Sequence, residues 1–118
     1  MGFYPPQGRY MKIKIHGQDY ELLEDDTMFF NTGNYAKHSM SKMEIVYDPN
    51  MKKSVTGEGI FHELIEATNF WCNTQLDHKD ITLISMFMFG ILNDNPELRE
   101  IIFEGKKMEE TEEVKHVK

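Results

Sequence analysis

The chain has 118 residues, a single cysteine and a formal net charge of -7, with 40% hydrophobic and 28% charged residues. That length suits one domain with a modest core. An acidic chain with no basic stripe excludes duplex nucleic acid as a partner and disfavours anionic membrane surfaces, and a lone Cys72 excludes an internal disulfide or a cysteine-built zinc site.

Residues 1–10, with Pro5, Pro6 and Gly8, read as a flexible lead-in without the apolar run of a signal peptide. Ile13 and Ile15 then alternate with Lys12 and Lys14, and His16-Gly17-Gln18-Asp19 is turn chemistry before Tyr20, Leu22 and Leu23. This predicts a β-hairpin. Residues 25–42 show no clear period, with turn signals from Asn31 to Asn34. In KMEIVYD, residues 42–48, Met43, Ile45 and Tyr47 alternate with Glu44 and Val46, and Pro49-Asn50 closes a strand. A small antiparallel sheet within residues 11–48 is the expectation.

From Thr56 the period becomes helical. Phe61, Leu64, Ile65, Thr68, Trp71 and Cys72 form one apolar stripe. Residues 73–77 break it, and Asp77 reads as the N-cap of a second helix, with Asp80 at the capping-box position. That helix is apolar around most of its circumference. It should be the most buried element, or supply a homo-oligomer contact through residues 86–92. Asn93 to Pro96 stops it, ELREIIF adds a short helix, and residues 105–118 read as a charged, disordered tail. The predicted class is α+β: the sheet packed on a helix pair at 57–93, in a domain spanning 11–104. The longest apolar stretch, 84–92, is too short to span a bilayer, so a soluble, cytoplasmic protein without membrane partners is expected.

The chemistry lies in IFHELIEATNF, residues 60–70. His62, Glu66, Asn69 and Asn73 follow i, i+4, i+7, i+11 spacing and share one polar stripe, with Glu63 beside it. Side chains four apart on a helix are neighbours, so a His and a carboxylate at that spacing can reach one cation. Zinc accepts both, and a catalytic site needs three protein ligands and an open position for water. Glu63 stands where a zinc-peptidase helix carries the base. A solvated polar face would show the same stripe. Three residues compete as third ligand: His78, Asp94 and His38. A straight helix ending at Asn73 puts its far end ~14 Å from the His62/Glu66 turn at 1.5 Å per residue. A simple hairpin would therefore favour Asp94, and His78 reaches the site only if the connection folds back. His16 and His116 read as solvated.

The order of KMEIVYDP, HELIEATN, LDHKDIT, an apolar helix and NDNPEL, over roughly residues 11–98, resembles small zincin-like proteins encoded by phages and prophages of Gram-positive bacteria. These are related in architecture to minimal metallopeptidases that cleave phage repressors. The most specific part is His62, Glu63, Glu66, Ala67 and Asn69, followed by His78 and Ile81. The resemblance implies a minimal zincin-like fold and a zinc ion held by His62, Glu66 and His78. It implies Glu63 as catalytic base, a protein or peptide substrate, and a place in the cytoplasm of a bacterial host. Glu66 departs from the usual HExxH histidine, giving HExxE. KMEIVYD takes the role of an edge strand that pairs with extended substrate. The alternative is a non-catalytic regulator or counter-defence protein on the same scaffold, binding a host or phage protein through residues 86–92 or the strand edge.

Overall fold

Ile13 and Ile15 alternate with two lysines because the strand that carries them has one face on the core. β1 (Tyr10–Ile15) turns through His16 and Gly17 into antiparallel β2 (Gln18–Glu24). Both turn residues have positive φ, 50° and 82°, the twist that suits a two-residue hairpin. This computed structural model describes residues 9–108. Most of the expected lead-in and of the expected tail lies outside them.

After β2 come a short helix α1 (Met28–Thr32), β3 (Ala36–Ser39) and β4 (Glu44–Tyr47). The sheet order is β1-β2-β4-β3. β3 and β4 form an antiparallel hairpin, but β4 runs parallel to β2, with Leu22 opposite Ile45. The sheet is therefore mixed, not antiparallel throughout. The reason is the crossover: the chain from Asp25 to Met43 is long enough to carry α1 and β3 past β2, so β4 enters beside it in the same direction. β4, the KMEIVYD strand, is consequently interior. The edges are β1 and β3, and the one next to β4 is β3, AKHS, which has little strand propensity and is held by pairing with β4.

Three helices follow: α2 (Lys53–Cys72), α3 (His78–Asp94) and α4 (Pro96–Glu104). The class is α+β, with α2 laid across the sheet. Ile15, Tyr20, Ile45 and Ala67 form the core cluster, with Met43 and Leu64 packed against it. Small residues seat the helix. Ala67 is fully buried, and a Cβ at Gly59 would stand 3.0 Å from the Tyr35 ring and 3.2 Å from the Ala36 Cβ. Gly59 and Ala67 are the buried residues of α2, so Phe61 and Leu64, expected in the core, are half-buried instead.

α3 is not the most buried element, the first of the two alternatives its apolar pattern allows. Its buried residues are Ile81 and Ser85, while Phe87 is 64% exposed and Leu83, Ile84, Met86, Met88 and Ile91 are exposed with it. The helix packs chiefly on α2, outside the sheet, so its far side meets solvent. Asp77 caps it as read, its Oδ1 accepting the Asp80 N–H at 2.9 Å. Among the described residues no helix is long and apolar enough to cross a membrane.

Candidate metal centre

One face of α2 and the first turn of α3 build the site. His62 and Glu66 stand one turn apart, and His62 Nε2 lies 3.2 Å from Glu66 Oε2. His78 Nδ1 lies 3.5 Å from the same oxygen. The His62 and His78 rings are edge-on, with centroids 5.1 Å apart. One ligand atom from each of the three residues falls within 4.8 Å of the others. His62 is the most enclosed and His78 the most exposed, at 16% and 77% of side-chain area.

His78 gets there because the α2–α3 connection folds back. Asn73 and Gln75 both take positive φ, 50° and 62°. The Asn69 amide binds the doubled-back chain at both polar groups of Leu76: Asn69 Nδ2 donates to the Leu76 carbonyl at 3.2 Å, and the Leu76 N–H donates to Asn69 Oδ1 at 2.9 Å. α3 thus starts beside Glu66, short of the end of α2. From there the helices run antiparallel, with Ser85 beside His62 and the Phe89 ring edge-on to Phe61. A Cβ on Gly57 would meet the same Phe89 ring at 2.6 Å, so the close crossing uses a glycine.

The other candidates lie elsewhere. Asp94, at the far end of α3, is not part of the three-residue group. His38 faces α2 from the edge strand, but its Nε2 is engaged by the Tyr20 hydroxyl at 2.9 Å. Trp71 Nε1–H donates to that hydroxyl at 2.7 Å, so the hydroxyl joins Trp71 to His38. The His38 ring is half-buried. Burial keeps its pKa below the ordinary value, against the pull of the Glu66 charge. His16 is exposed, as expected, and its Nε2 lies 3.0 Å from the Thr68 hydroxyl.

Glu63 borders a cleft of about 320 Å³ between α2, the start of α3 and the segment Gly33–Ala36 leading into the edge strand. His62, His78, Glu58, Gly59 and Thr82 line it as well. Burial pushes the Glu63 carboxyl up to about 7, and the Glu66 charge adds to the rise. A backbone hydrogen bond from His38 and the nearby His78 pull the other way. A carboxyl poised near neutrality beside two histidines is suited to exchange protons with a molecule in the cleft.

Reading the residues in order did not find Ser85, Asn69's role or the Trp71–Tyr20–His38 chain. Ser85 sits in an apolar run, and its one signal was position, four residues after Ile81 on the face turned to α2. The Ser85 hydroxyl donates to the Thr82 carbonyl at 3.0 Å, and its oxygen lies 3.5 Å from His62 Nδ1. Comparison with protein-family models, with curated proteins and with solved structures returned no match.

Proposed function

We propose that this protein is a small zinc-dependent peptidase, with His62, Glu66 and His78 as metal ligands and Glu63 as general base. The observation that carries the reading is the convergence of two histidines and one glutamate at the edge of a cleft, with a second, neutral-leaning carboxyl beside them. Two histidines and a glutamate are a known ligand set for catalytic zinc.

The donor set fits the ion. With bonds of ~2.0–2.2 Å, two tetrahedral ligand atoms stand roughly 3.3 Å apart. The separations from Glu66 Oε2, 3.2 Å to His62 and 3.5 Å to His78, already match. His78, exposed and at the start of its helix, is free to make the remaining adjustment. Zinc held there would supply Lewis acidity toward a peptide carbonyl and toward water.

The chain's own residues do the rest. Glu63, ionised above about pH 7, accepts the proton of the attacking water and can return it to the departing amine. The β3 edge, beside the cleft, offers backbone groups to an extended peptide. Gly59 keeps the helix close under that strand.

The test is cleavage of a random peptide library by zinc-loaded protein, read by mass spectrometry. Cleavage by the wild type, lost in a Glu63→Gln variant that still binds zinc, is the expected result. A zinc-loaded wild type that cuts nothing, or a variant that cuts equally well, would remove the peptidase reading.

One observation favours a second reading, a non-catalytic protein that acts by binding another protein. α3 exposes Phe87 and Ile91, and α4 exposes Ile102 and Phe103, large apolar side chains that a protein partner could cover.

A further inference from the structure

We infer that Glu58 sets the substrate class: it selects peptides that bring a cationic group, a lysine or arginine side chain or a free amino terminus, into the cleft beside the metal centre. The inference rests on the peptidase reading above for the reaction, but the charge preference is a property of the cleft itself.

The balance of charge along the cleft carries it. Glu58 lines the cleft with His62, Glu63 and His78, stands one turn before His62 on α2, and is half-buried. Among the described residues, no lysine or arginine lines the cleft, and no hydrogen bond or salt bridge involves the Glu58 side chain. Its other side brings no cation either. Glu58 also borders a hollow between α2 and α3, where Val55, Met86 and Phe89 supply the wall and no other charged residue takes part.

The remaining charges of the cleft offset one another. Imidazoles that hold a metal are neutral, and the carboxylates of Glu66 and Glu63 match the two charges of a zinc ion. Glu58 is left over. A carboxylate in a half-enclosed cleft with apolar walls attracts a positive group more strongly than one in open water.

Spacing says where on the peptide that group lies. Four residues at 1.5 Å each put Glu58 ~6 Å along α2 from His62. An extended peptide advances ~3.3 Å per residue, so the selected group belongs to a residue within about two positions of the cleaved bond.

A random peptide library read in two ways tests this. Among peptides cut by zinc-loaded wild type, a cationic group should be enriched roughly 3–10-fold near the cut. Acetylating the library's amino termini separates the two sources. A preference that survives belongs to lysine and arginine, and one that vanishes belongs to the amino terminus. The second reading needs no cleavage: the library is selected for binding to Glu63→Gln protein, with and without zinc. Retained peptides should show the same preference. Adding Glu58→Gln should abolish it, and adding Glu58→Lys should turn it toward aspartate and glutamate, with melting temperatures near that of the parent. No retained peptides, retained peptides without a charge preference, or an equal preference after Glu58→Gln would overturn the inference. Failure of the wild type to cut any peptide would instead overturn the peptidase reading, and the binding selection would still decide the role of Glu58.

Discussion

Asn69 holds Leu76 by both of its backbone polar groups, at 2.9 and 3.2 Å. Those two bonds turn a loop that would otherwise extend α2 into one that runs back along it. His78 follows two residues after Leu76, which is how it arrives beside Glu66. The convergence of His62, Glu66 and His78 thus depends on a side chain outside that group.

Asn69→Ala should therefore act at a distance. Loss of the two bonds, and of the one Asn69 Oδ1 accepts from the Thr74 hydroxyl, should cost ~1–2 kcal/mol, at the lower end because the loop backbone can turn to water. Zinc affinity should fall with it, while Lys12→Ala, at an exposed position of β1, should leave affinity nearly unchanged. Titration of zinc into both variants checks the contrast.

The seat of α2 on the sheet sets the cleft. Gly59→Leu should destabilise by ~1–3 kcal/mol, because its side chain must displace Tyr35 and Ala36 and, through Ala36, the edge strand. Denaturant midpoints would show it.

Burial ranks the core. Ile45 is fully buried between strands and helix, whereas Phe61 is half-buried against Phe89. Ile45→Ala should cost ~2–5 kcal/mol and Phe61→Ala clearly less. Equal losses in urea unfolding would mean that the helix pair carries more of the core than its exposure indicates.

Glu63 gives a pH signature in metal-free protein. Its folded pKa, about 7, lies above the ordinary 4.5, so the folded state binds the proton more tightly than the unfolded one. The associated stability is fully present below the unfolded value and is lost as pH rises through about 7. Glu63→Gln should remove this part of the decline. Melting temperatures across that window, equally steep in both proteins, would mean that Glu63 is not the group responsible.

Much of this was legible in the residues. Alternation at Ile13 and Ile15 located the hairpin, and Asp77 marked the start of α3. The i, i+4 spacing put His62 and Glu66 together because a helix leaves them no other arrangement. Three things were not legible, each for a physical reason. β3 is a strand through pairing with β4 and not through its own propensity. The parallel β2–β4 pairing is a property of the crossover, which local periods do not encode. The exposure of α3 follows from which elements it packs on, and an apolar helix reads the same whether the chain or a partner covers it. The fold-back to His78 lay between these cases: Asn69 and Asn73 were visible as polar residues, but not as a staple and a left-handed residue.

The central claim is that His62, Glu66 and His78 hold one ion. Zinc per chain, measured by elemental analysis after exhaustive dialysis, tests it most directly. The wild type and Glu63→Gln should each retain about one equivalent, since Glu63 handles the proton and not the metal, while His62→Ala and His78→Ala should retain none. A wild type that keeps no zinc, or a His78→Ala variant that keeps as much as the wild type, would contradict the claim.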